Sequence, residues 1–221
     1  MTPIERPSPN FDVRKHPVSM VVLHYTGMQS AAAALDRLTD PAAKVSAHWV
    51  VAEDGQVIRL VDEPSRAWHA GKSFWRGITD VNSASVGIEI VNPGHEFGYR
   101  PFPPEQMASV ETLVAAAVRR FDIDPSNVVG HSDIAPARKD DPGELFDWPR
   151  LAAAGLATAV PTGGFDPRWT DEGTIAALHR YGYDVGDPIA AVTAFQRRFR
   201  PADIGGVIDA ETRTILRALL V

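Results

Sequence analysis

Along the first two thirds of the chain, apolar residues come in short runs closed by turn formers. Residues 18–24 (VSMVVLH) are a valine-rich run that stops at Thr26-Gly27, the pattern of a buried strand. Residues 29–39 then read as a helix, with Ala32, Leu35 and Leu38 on one side. Two further runs, residues 47–52 (AHWVVA) and 56–60, are separated by Asp54-Gly55, a strong hairpin signal. Residues 85–91 (SVGIEIV) and 127–130 (NVVG) read as strands as well. Pro104 and Glu105 open a helix that continues to about Phe121, with Val110, Leu113, Val114, Ala117 and Val118 recurring at helical spacing. Strands interleaved with helices predict an α/β domain built on a mixed central β-sheet flanked by helices.

The pattern breaks at residues 158–167 (TAVPTGGFDP), where two prolines and two glycines follow an alanine-rich stretch. This divides the chain into a domain over residues 1–157, a linker over 158–166 and a small domain over 167–221. The last part reads as helical throughout. Residues 174–181 form a first short helix, and Asp187-Pro188 supplies an N-cap and a first-turn proline for a second, with Ile189, Val192, Phe195 and Phe199 inward. Asp209 caps a third, which buries Ile215, Leu216, Leu219 and Leu220. Three such helices make a small bundle.

Charge narrows the possibilities. With 22 Lys and Arg against 28 Asp and Glu the net charge is -6, so binding of nucleic acid through a broad basic face is not expected. There is no cysteine, which excludes disulfides, thiolate zinc sites and a cysteine nucleophile; any metal must be held by histidines and carboxylates. Glu5, Arg6, Asp12, Arg14 and Lys15 interrupt the opening segment where an export signal needs an unbroken apolar run. As written, the chain is expected in the cytoplasm, or in the cell envelope or periplasm if a leader has been removed. No run has the length of a transmembrane segment.

The candidate chemistry lies at strand ends. His24 closes one strand, His131 follows another, and Asp141 comes ten residues later in a Pro-containing loop that can fold back. Two imidazoles and a carboxylate are three protein ligands with a fourth position open, as a catalytic zinc requires. Each histidine taken singly is more often a hydrogen-bonded structural residue. Glu89, flanked by Ile88 and Ile90 on a buried strand, must face a site, where it can shuttle a proton, or pair with an arginine. Lys139 is either an exposed loop lysine or a cation for a developing oxyanion. In residues 67–77 (AWHAGKSFWRG), Trp68, His69, Phe74 and Trp75 suit a cleft wall or a small core under a loop. His48 reads as a packed histidine close to the site rather than a ligand.

VVLHYTG, VSAHWVV, AWHAGKS, SVGIEIV and GHSDIAPARKDDPG, in this order, resemble the zinc-dependent N-acetylmuramoyl-L-alanine amidases of the amidase_2 type, related to the peptidoglycan recognition proteins. The resemblance implies zinc ligands at His24, His131 and Asp141, a catalytic glutamate at Glu89 and an oxyanion-stabilising lysine at Lys139. Trp68, His69 and His48 are then expected near the substrate. Asp141 and Ala47 stand where many recognition proteins and phage amidases have cysteine and tyrosine, which points to the bacterial branch near AmpD and AmiD. YGY, AFQRRF and GVIDAETRTIL resemble a three-helix peptidoglycan-binding domain. The implied partner is peptidoglycan or a muropeptide, acted on by a monomer. A recognition protein that binds without cleaving, and a zinc peptidase that cuts within the stem peptide, are the competing readings.

Overall fold

The computed structural model describes residues 2–221. Among the described residues the strands are, in chain order, β1 (Ile4–Glu5), β2 (Phe11–Val13), β3 (Met20–Tyr25), β4 (Trp49–Val51), β5 (Val57–Arg59), β6 (Ser65–Ala67), β7 (Ser85–Ile90) and β8 (Val128–Gly130). The helices are α1 (Ala31–Thr39), α2 (Val81–Ala84), α3 (Gly94–Phe97), α4 (Pro104–Phe121), α5 (His131–Ile134), α6 (Trp148–Ala153), α7 (Asp171–Tyr181), α8 (Pro188–Phe199) and α9 (Ala210–Leu219). Six strands form a mixed sheet in the order β1-β5-β4-β7-β3-β8, in which only the β4–β5 pair is antiparallel. That pair is the hairpin expected at Asp54-Gly55. The architecture is the mixed α/β fold expected, with a helical C-terminal segment.

Side-chain alternation along the strands separates two faces. Val21 and Leu23 of β3 and Val86, Ile88 and Ile90 of β7 pack against Met107, Val110 and Val114 of α4. The opposite face presents Met20, Val22 and His24 from β3, and Ser85, Gly87 and Glu89 from β7. One end of that face is covered by the C-terminal helices, whose Leu178, Phe195 and Leu216 share a continuous apolar core with Met20, Val22, Val129 and Trp75. At the other end, Leu38 of α1 packs in a cluster with Val50 and Ile58. The polar strip between them is left open.

Local differences from the sequence reading have simple causes. Helix α1 starts at Ala31 behind a Ser30 cap, and Ala34 rather than the exposed Ala32 joins Leu38 in the buried stripe. Ile189 is 70% exposed at the first turn of α8, beside Gly206 instead of in the bundle core. Leu219 and Leu220 are half-buried because α9 ends there. Residues 158–167 carry no helix or strand. Among the described residues no helix is long and apolar enough to cross a membrane.

Candidate active site

Strand register builds the site. His24 and Glu89 are directly paired on the parallel strands β3 and β7, so both side chains leave the sheet on its open face as neighbours. Leu23 pairs with Gly130 of β8, and the next residue on that side is His131, the first of α5. The following loop returns: the Asp141 carbonyl accepts a 2.8 Å hydrogen bond from the Ser132 amide. Gly130 permits that close return, since a Cβ there would lie 2.7 Å from Pro142.

The outcome is a compact donor trio. His24 Nδ1 lies 2.9 Å from His131 Nδ1 and 3.0 Å from Asp141 Oδ2, and the latter two are 3.1 Å apart. All three residues are buried. Donors on a tetrahedral zinc stand roughly 3.3 Å apart when the bonds are about 2.0–2.1 Å long, so the spacing fits within a few tenths of an ångström. The chemistry fits too. His131 Nε2 is 3.1 Å from the Ala70 carbonyl, which only accepts, so that nitrogen carries the proton and Nδ1 turns a lone pair to the centre. Burial would raise the Asp141 pKa, but His131 and His24 beside it hold the carboxyl far below its usual range. Burial, helped by His131, lowers His24 to about 4. The trio thus offers a carboxylate oxygen and two imidazole nitrogens, a set that a divalent cation completes.

Glu89 stands next to the trio with Oε2 buried and without a hydrogen-bond partner. Burial first and the Asp141 carboxylate second push its pKa well above the ordinary value, against the pull of Lys139. Donor trio and glutamate share a cleft of about 380 Å³, with Trp68, Arg138 and Lys139 among its walls.

Residues 14–144 match the N-acetylmuramoyl-L-alanine amidase family. The chain is 37% identical to the N-acetylmuramoyl-L-alanine amidase AmiD of Escherichia coli, over 92% of this chain and 82% of that protein. It is 32% identical to the 1,6-anhydro-N-acetylmuramyl-L-alanine amidase AmpD of Haemophilus influenzae, over 66% of this chain and 89% of that protein. A solved structure of the E. coli AmiD, in complex with the substrate anhydro-N-acetylmuramic acid-L-Ala-D-γ-Glu-L-Lys, superposes with a TM-score of 0.83 at 35% identity, covering 95% of this chain and 91% of that one. The chain belongs to the N-acetylmuramoyl-L-alanine amidase family. It is an enzyme of that class.

The rest of the amidase cleft divides the aromatic loop as no local pattern foretells. Trp68 is partly exposed on the cleft wall, and its Nε1 is buried without a partner. His69 also lines the cleft, but it is only 8% exposed and sits behind His24, its Nδ1 3.0 Å from His24 Nε2. Trp75 turns away into the core, edge-on to Tyr183. His48, expected near substrate, is fully buried: its Nδ1 accepts from the Gly87 amide at 2.9 Å and it does not line the cleft. Its place on a sheet face under the loop that carries Trp68 and His69 explains this. Lys139 is half-buried on the wall. Arg37 and Arg138 also line the cleft, and the sequence reading missed both. Arg138 had an available signal, being next to Lys139; Arg37 had none, because its place depends on how α1 docks.

Proposed function

We propose that this chain is a zinc-dependent hydrolase that cleaves the amide between the lactyl group of N-acetylmuramic acid, the 1,6-anhydro form included, and L-alanine of the stem peptide. The observation that carries this reading is the convergence of His24 Nδ1, His131 Nδ1 and Asp141 Oδ2 in one cleft with the partnerless Oε2 of Glu89. His24, His131 and Asp141 would hold a zinc ion, which when bound would supply Lewis acidity toward the scissile carbonyl and acidify the attacking water. Glu89 takes the proton of the attacking water at a carboxylate oxygen and hands it to the alanine nitrogen as the C–N bond breaks. The products are a lactyl carboxylate and a free amine. The Lys139 ammonium stabilises the oxygen on which negative charge develops.

The Nε1 of Trp68 is a spare donor for substrate, and Arg37 and Arg138 suit the carboxylates of a stem peptide. In this reading the enzyme acts as a monomer. Residues 167–221 are read as a peptidoglycan-binding segment on their YGY, AFQRRF and GVIDAETRTIL motifs.

The test is a digest of anhydromuropeptide and of intact sacculi, with and without chelator, with products identified by mass. Sugar carrying a free lactyl carboxylate and peptide beginning at L-alanine are expected, both lost with chelator and restored by zinc. Binding without cleavage would favour a recognition protein instead. Peptide fragments left on the sugar would mark a peptidase.

A further inference from the structure

The two histidines of the trio are steered from one place, residues 69–70. A ring that offers Nδ1 to a cation carries its proton on Nε2, and a buried Nε2–H needs an acceptor. For His131 that acceptor is the Ala70 carbonyl, at 3.1 Å. For His24, 1% exposed, it is Nδ1 of His69, at 3.0 Å. His69 must then be protonated on Nε2, which lies 3.2 Å from Ser85 Oγ, and the Ser85 hydroxyl donates onward to the Val81 carbonyl at 2.6 Å. The Val81 carbonyl can only accept, so a single order of protons satisfies this chain, and it ends with a bare lone pair on His24 Nδ1.

The support beneath His69 is specific. A Cβ at Gly87 would lie 2.4 Å from His69 Cγ, so the imidazole lies against the bare backbone of β7. Asn82 Oδ1 accepts from both the His69 and the Ala70 amides, at 3.0 and 2.8 Å, which ties the two steering groups to one anchor.

We propose that His69, seated on Gly87 and Ser85, is a positioning residue that fixes the tautomer and aim of His24 and thereby sets the affinity of the site for its metal. This rests on the zinc-site reading above. Second-sphere partners of this kind are worth about 10–100-fold in metal affinity.

The experiment measures zinc affinity by chelator competition on the full-length chain, with a visible spectrum of the cobalt-loaded form to report on the ligand set. Wild type is compared with His69→Leu, His69→Asn, Ser85→Ala, Gly87→Ala and the Gly87→Ala/His69→Leu pair, and with His24→Ala as the ligand-loss control. His69→Leu is expected to weaken zinc binding about 10–100-fold. His69→Asn, whose Oδ1 can stand in for Nδ1, should recover most of it. Gly87→Ala should show a similar loss although it touches no ligand, and the pair should be no worse than His69→Leu alone. If His69→Leu does not fold, His69→Asn and the milder Ser85→Ala carry the test: Ser85→Ala should weaken binding several-fold and shift the cobalt spectrum. Wild-type affinity and spectrum in His69→Leu or in Ser85→Ala, or strictly additive losses in the pair, would overturn the proposal and leave the zinc site standing. A wild-type chain that binds no zinc would overturn the functional reading as well.

Discussion

The Tyr183 hydroxyl donates a 2.7 Å hydrogen bond to Oδ1 of Asp133, a buried carboxylate whose Oδ2 accepts from the Gly130 amide at 2.7 Å. A residue just after α7 thus fixes the first turn of α5, which begins at His131. Arg197 of α8 reaches Asp140, next to Asp141, at 2.8 Å. The C-terminal segment therefore braces both ends of the loop that runs between the two site residues.

Tyr183→Phe leaves a buried carboxylate oxygen without its donor and should cost about 1–3 kcal/mol of stability, read from denaturant unfolding. Removal of residues 158–221 should do far more, since Met20, Val22, Val129, Ile134 and Trp75 lose the apolar side chains packed on them. A truncated chain that stays soluble and monomeric, with an unchanged unfolding midpoint, would refute this role for the segment.

Glu89→Gln keeps the shape of the side chain and removes its ability to carry a proton. Turnover should fall roughly 10²–10⁴-fold while zinc content stays at the wild-type level. Stability should hold or rise, because a neutral amide is easier to bury than a carboxylate without a partner. Wild-type turnover in this variant would remove Glu89 from the reaction.

Lys139→Met keeps most of the bulk and loses the charge. If the ammonium acts on the developing oxyanion, kcat should drop on the order of 10²-fold with little change in KM. A rise in KM at constant kcat would assign the lysine to substrate binding instead.

Acid should weaken the fold through His48, whose imidazole is lowered from 6.5 to about 3 by burial and by the neighbouring Arg14. Below 6.5 the unfolded chain takes a proton there that the folded chain refuses, so this contribution is complete above 6.5 and is lost as pH falls toward 3. At pH 5 the loss from this one group is roughly 2 kcal/mol. Denaturant unfolding of metal-free protein between pH 7 and pH 5 should show a steeper decline for wild type than for His48→Gln. Equal slopes would contradict the assignment.

Much of the fold was legible in the residues. The spacing placed α4 at Pro104–Phe121, and the valine-rich runs located β3, β7 and β8 within a residue or two. The two- and three-residue strands β1, β2 and β6 escaped notice, because so few positions show no alternation. Within residues 67–77 the sequence could not separate Trp68, partly exposed on the cleft wall, from Trp75, in the core, or from His69, buried at the cleft behind His24. Loop side chains follow no period, so their directions come from what packs around them.

By itself the sequence determined the chemistry in stock: two strand-end histidines, a carboxylate inside an apolar strand, an aspartate and a lysine in a proline-containing loop, and no thiol to compete with them. It also determined the alternation of strand and helix, because hydrophobic periods of two and of about 3.6 residues report local backbone geometry. Only the tertiary structure decided that His24 and Asp141, 117 residues apart, meet at 3.0 Å, and that Glu89 stands beside His24. Those contacts depend on which strands pair, in what register, and where the intervening loop closes. None of these is a property of any short stretch of chain.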